Sequence, residues 1–208
     1  MPAYFNISVQ ILRSDIYGEI IGDFYAALGN SGMKFISGFR GCENNSLDDI
    51  IGWNQAKLEQ DFRLGLTENH INDFRQVLFE FGDFSPVRVF IMNNYPEQDT
   101  FSFEILIPEA EVIGCEYPLK FRADRISPLI KAAKLIWQLP FVRTIQTGTE
   151  ADSASVGITA LKSGKCGPHI SPFAISEELF GFDRSGITSE ELSGRRGYLF
   201  TRGIRELF

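Results

Sequence analysis

Three cysteines and two histidines are the side chains of this sequence best suited to nucleophilic chemistry: Cys42, Cys115, Cys166, His70 and His169. A cysteine hydrolase needs a thiolate beside an imidazole, with a third group to orient the ring. Cys42, Cys115 or Cys166 could meet His70 only if the fold brought them together, and no spacing selects one pairing. Metal chemistry is poorly served. There is no C-x-x-C and no H-x-x-x-H, and Asp48-Asp49 and Glu190-Glu191 are adjacent acids that point apart on a helix. No metal and no cofactor are therefore expected. The nearest phosphate-loop candidate, Gly157 to Gly164-Lys165-Cys166, has too long a gap and a cysteine where a hydroxyl should hold magnesium. Gly29-Asn30-Ser31-Gly32-Met33 lacks the last glycine of a nucleophile elbow.

Cys166-Gly167-Pro168-His169 resembles the C-G-P-C of thioredoxin-like oxidoreductases, with His169 in place of the resolving cysteine. That family sets its motif at the start of a helix, whereas Ile170-Ser171-Pro172 follows here and resists helix formation. A Gly-Pro turn carrying an incidental cysteine is the better reading. Glu104, Glu109 and Glu111 are the other candidate bases, and nothing in their spacing chooses among them. Arg195, Arg196, Arg202 and Arg205 lie among Tyr198, Phe200 and Phe208. They are expected to pack back on the domain rather than to form a docking patch.

Charge carries more information than any motif. Residues 1–110 hold 16 acidic and 7 basic side chains, and residues 111–208 hold 11 and 13. Within 43–99 the count is 11 acidic to 4 basic, interleaved with Trp53, Phe62, Phe74 and Tyr95. This balance disfavours DNA or RNA, whose backbone needs clustered Lys and Arg. It suits a basic protein, steered in by long-range attraction. Asp48, Asp49, Trp53, Glu59, Asp61 and Tyr95 are the expected partner-binding residues. In composition the chain resembles small acidic inhibitors such as bacterial immunity proteins that neutralise nuclease toxins. The expected function is a non-enzymatic binding protein that engages a basic partner through an acidic face. The alternative is a small-molecule hydrolase or transferase near Cys166 and His169.

These residues need a scaffold, and 208 residues suffice for one α+β domain with an acidic 1–110 part and a mildly basic 111–208 part. Odd, widely spaced cysteines argue against a disulfide framework, and no secretion signal or apolar span is evident, so a cytoplasmic location without membrane contact is expected. Alternation predicts strands over 4–13, 33–39, 87–92, 101–107 and 141–147. Amphipathic spacing predicts a helix over 15–28 capped by Ser14-Asp15, and one over 127–138 with Ser127 as cap and Pro128 at the first helical position. The first of these gives a β-α-β opening to a mixed or antiparallel sheet. Ser46 with Asp49 predicts a further helix start. Thr67 is expected to cap a helix reaching Phe79, and Ser176 to Phe180 to form a short one. The glycine-rich stretch 148–197 reads as long functional loops.

Overall fold

The computed structural model describes residues 3–63, 72–93, 99–114, 120–152, 155–177 and 185–203. Nine strands form one sheet: β1 (Tyr4–Leu12), β2 (Lys34–Phe39), β3 (Gln76–Phe81), β4 (Phe84–Met92), β5 (Thr100–Pro108), β6 (Val142–Thr149), β7 (Phe173–Ser176), β8 (Ile187–Glu191) and β9 (Tyr198–Arg202). Their order is β2-β3-β4-β5-β1-β6-β7-β9-β8, with every neighbouring pair antiparallel. The helices are α1 (Ile20–Asn30), α2 (Leu47–Glu59), α3 (Ala123–Ile136) and α4 (Ile158–Lys162). None is long and apolar enough to cross a membrane.

The two-residue period puts the apolar half of each strand on one face. Phe5, Ile7, Val9 and Ile11 of β1 share one buried cluster with Phe103 and Ile105 of β5, Val77 and Phe79 of β3, and the inner faces of α1, α2 and α3. Phe24 of α1 lies flat on Phe103, with ring centroids 3.7 Å apart. The opposite face is covered in part by α4, where Leu161 and Ile170 pack on Ala174 and Phe200. Elsewhere that second face is polar: Ser8, Gln10, Glu104 and Gln146 are all buried on it.

The α+β class and the strands near 4–13, 33–39, 87–92 and 101–107 stand as expected, and β4 pairs antiparallel with β5, Met92 opposite Ser102. Other expectations are corrected. Strands β1 and β2 flank α1 in sequence but β5, β4 and β3 lie between them, so the opening is not a unit of neighbouring strands. Ser14-Asp15 belongs to a 3-10 turn, Arg13–Asp15, and α1 starts only after Glu19, leaving Gly18 outside it. Gln55 of α2 fixes that start: its Oε1 accepts from Ile21 N at 3.1 Å and its Nε2 donates to the Tyr17 carbonyl at 2.8 Å.

Helix α3 begins at Ala123 rather than Ser127 and runs through Pro128. Pro128 is the sixth residue of the helix, in its second turn, and its missing N–H leaves out the one ladder bond to the Asp124 carbonyl. Residues 76–79 are strand, not the end of a helix from Thr67: Val77 and Phe79 alternate with Leu78 against β4, and tertiary pairing outweighs the helical spacing. Ser176 closes β7, and residues 178–180 of the expected short helix lie outside the described residues. The stretch 148–197 contains α4, β7 and β8. Of the C-terminal arginines Arg195 packs back, while Arg196 and Arg202 are exposed and Arg205 lies outside the described residues. Arg195 lies 4.1 Å over the Trp137 ring and donates to the Trp137 and Leu139 carbonyls, closing the end of α3.

Candidate functional site

Helix α2 carries most of the acidic residues singled out from the sequence. It starts with a capping box: Ser46 Oγ accepts from Asp49 N at 3.1 Å, and the Asp49 carboxylate accepts from Ser46 N. These hydrogen bonds from the Ser46 side chain and backbone hold the Asp49 carboxyl below its ordinary range. Its buried side is Ile50, Asn54, Gln55 and Leu58. The exposed side presents Asp48, Asp49, Gly52, Ala56 and Glu59, a row of carboxylates over small residues. Asp48 takes no hydrogen bond or ion pair among the described residues, while Glu59 accepts from Gln55 Nε2 at 2.8 Å.

Trp53 stands at the edge of this row. Its half-buried indole donates to the Asp73 carbonyl at 3.0 Å, and Arg75 and Lys57 lie over the ring at 4.1 and 5.0 Å. Fully buried Asn54 fixes the segment that Trp53 contacts. Its Oδ1 accepts from Arg75 N at 2.7 Å and its Nδ2 donates to the Arg75 carbonyl at 2.9 Å, as a neighbouring strand would. Between α2, the Phe39–Cys42 turn and residues 73–76 lies a cleft of about 230 Å³ lined by Trp53, Arg40, Cys42, Asp73 and Arg75.

The turn that walls the cleft is tightly folded. Arg40 and Gly41 have φ of 55° and 88°, and the Glu43 carboxylate accepts from Gly41 N at 3.0 Å, which draws its pKa down. A Cβ on Gly38 would lie 2.1 Å from the Cys42 carbonyl oxygen, so only glycine fits. Cys42 is buried, and its thiol donates to the Phe39 carbonyl at 3.2 Å. It is part of the wall and faces no imidazole among the described residues.

Asp61, at φ 51°, is bound by both Arg13 and Arg63. Slight burial opposes ionisation, but the two guanidiniums hold its carboxyl below the ordinary range. The structure thus brings Asp48, Asp49, Trp53 and Glu59 onto one helix, with Asp61 just beyond its end and engaged within the chain. Tyr95 lies outside the described residues, as do His70 and Cys115.

The alternative site is less assembled. Cys166 is half-exposed and free, and no hydrogen bond joins it to His169 among the described residues. His169 instead sits beside Asp152, Nε2 to Oδ2 3.8 Å, and its main-chain N–H donates to Gln146 Oε1. Partial burial works against the Asp152 charge, yet the Thr149 N–H, Ser171, Thr149 Oγ1 and His169 together hold its pKa down. Of the candidate bases, Glu111 is paired with Arg125 at 3.0 Å. Glu104 is 4% exposed and receives Asn6 Nδ2 at 2.6 Å, Ser8 Oγ at 2.9 Å and Ser102 Oγ. Burial pushes its pKa up against those three bonds.

Sequence reasoning missed Arg40 and Arg75, which line the cleft beside Trp53. Arg75 falls within a segment expected to be helical, and Arg40 just past the strand expected over 33–39; neither spacing announces a shared cleft. Compared with models of known protein families, with curated proteins and with solved structures, the chain matches none.

Proposed function

We propose that this protein is a cytoplasmic, non-enzymatic binding protein of the inhibitor or immunity type, which engages a basic protein through α2 and the cleft beside it. The observation that supports it is the exposed carboxylate row of Asp48, Asp49 and Glu59 running alongside a half-buried Trp53. Carboxylates on an open face attract a basic patch over about a Debye length, ~8 Å at physiological salt. Such steering raises the association rate. Residence time then depends on a desolvated anchor, and tryptophan flanked by arginine is the chemistry most enriched at such anchors. Gly52 and Ala56 leave the helix face low enough for a partner backbone to approach. Tyr95 belongs to the same proposal from its place in the acidic segment.

The enzyme reading has less support, because its thiol and imidazole share no bond and Glu111 is already paired. The test is capture of a partner by purified protein, followed by association kinetics. Asp48→Asn with Glu59→Gln removes two charges, and the amide oxygen at position 59 can still accept from Gln55 Nε2. Asp49→Asn and Asp61→Asn also disturb the helix cap and the Arg13 and Arg63 pairs, and serve as the second step. Loss of the partner with the fold intact supports the reading. No macromolecular partner, together with turnover of a small molecule near Cys166, overturns it.

A further inference from the structure

Among the described residues no helix packs on the second face of β2 to β5. Val77 and Phe79, Val89 and Ile91, and Ile105 and Ile107 point into the core with α1, α2 and α3. Their neighbours along each strand point the other way. There Phe39, Leu78, Phe90 and Leu106 are half-buried and Met92 is 36% exposed, and none of the five belongs to either buried cluster. The water-facing side of an antiparallel sheet is ordinarily polar. These four strands hold only four ionisable residues: Lys34 opposite Glu80 at one corner, Glu104 withdrawn into its hydrogen bonds, and Arg88 near the centre. The Arg88 guanidinium lies among the rings of Tyr4, Phe39 and Phe90, at 5.1, 5.3 and 5.9 Å. Aromatic, Met and Arg side chains with few carboxylates are the composition of an interface core.

We infer that this face joins a second copy of the chain, sheet against sheet, in a two-fold dimer. Charge, shape and size choose that occupant. The face offers Lys34 and Arg88 against the exposed Glu80, so a basic protein finds its attraction at α2 and not here, whereas a chain of net charge −7 is not repelled. Helix α2 lies on the other side of the sheet. Apposed sheets therefore hold the two carboxylate rows roughly 30 Å apart, three layers of ~10 Å each, several Debye lengths at physiological salt. Twisted sheets pack face to face when their twists agree, and a second copy brings the same twist by construction. Four strands of 6 to 9 residues span an area of roughly 19 by 25 Å, about 500 Å² in plan. Two copies then bury about 1,000 Å² before the relief of the side chains is counted, the size at which specific association begins. The inference goes beyond the binding reading and does not rest on it, since α2 stays open in the dimer.

Sedimentation velocity of the purified chain from about 1 µM to about 100 µM reaches the weakest affinities that an interface of this size gives. A mass twice that of the chain is expected at the upper end. Leu106→Glu sets a carboxylate at the centre of the face, opposite Arg88 on the neighbouring strand. It should weaken association at least about thirtyfold, the loss at a hot-spot position. Met92→Glu, at an exposed position, should weaken it too, and carries the test if Leu106→Glu does not fold. Asp48→Asn with Glu59→Gln, on the far side of the sheet, should leave association unchanged. In methyl NMR of the wild type, the Met92 signal should shift with concentration and that of buried Met33 should not. A wild-type chain that stays monomeric at the highest concentration overturns the inference. So does a dimer whose Met92 methyl does not respond, or one that the folded face variants keep at wild-type strength. No partner enters these measurements, so a monomeric chain leaves the binding reading standing, and a failed partner capture leaves the dimer standing.

Discussion

Glu104 offers a perturbation whose size and pH dependence follow from four residues. Its carboxylate collects Asn6 Nδ2, Ser8 Oγ and Ser102 Oγ on the second face of the sheet, 4% exposed. Glu104→Ala removes the acceptor from three donors at once. At roughly 1 kcal/mol net for each bond, the variant should lose about 3 kcal/mol. For a chain of this size that is a fall in Tm of roughly 6–12 °C. Glu104→Gln should cost far less. The Asn6 Oδ1 is buried without a hydrogen-bond partner, so a turn of the Asn6 amide lets it accept from the new Gln amide. The two also separate by pH. Burial raises the Glu104 pKa in the folded state, so the native protein holds this proton more tightly than the unfolded chain. Its stabilising contribution is full below the ordinary glutamate value and is lost as pH rises through the raised one. Glu104→Gln should therefore gain on wild type as pH rises through that window and show a flatter profile. Thermal denaturation of the three proteins from pH 4 to pH 8 measures both effects. Equal stability of the Ala and Gln variants, with unchanged pH profiles, would refute the assignment.

Other consequences are equally direct. Ser46→Ala breaks the capping box of α2 and should cost about 1 kcal/mol, roughly 2–4 °C in Tm, read by calorimetry. Gly197→Ala would set a Cβ 2.6 Å from the buried Trp137 indole nitrogen and should cost about 1–3 kcal/mol, with a shift in tryptophan fluorescence, whereas Gly29→Ala meets open space inside α1 and should stabilise by about 0.5–1 kcal/mol. Thiol titration should find three free groups on unfolding, with half-exposed Cys166 reacting before buried Cys42, which is reached only as the fold opens; Cys166→Ser should leave stability and partner binding unchanged.

Local signals in the sequence were reliable where local physics sets the outcome. The alternation of Phe5, Ile7, Val9 and Ile11 produced β1, and Ser46 with Asp49 produced the capping box that starts α2. They failed where distant partners decide. Gln76 to Phe79 has helical spacing, but β2 and β4 recruit it into the sheet. The start of α1 depends on Gln55, 34 residues away from Ile21, which no window along the chain can reveal. The candidate site divides the same way. Asp48, Trp53 and Glu59 are legible because one helix carries them. Arg40 and Arg75 are not, since Asn54 and the constraint at Gly38 bring their segments to Trp53 through contacts remote in sequence.

The binding account is tested most directly by the association rate of the captured partner as salt is raised, compared between wild type and Asp48→Asn/Glu59→Gln. If the α2 carboxylates steer a basic protein, wild-type association should fall steeply with added sodium chloride. The double variant should start slower at low salt and show a shallower slope, while dissociation changes little. Identical rates and slopes for the two proteins, with both folds intact, would contradict it.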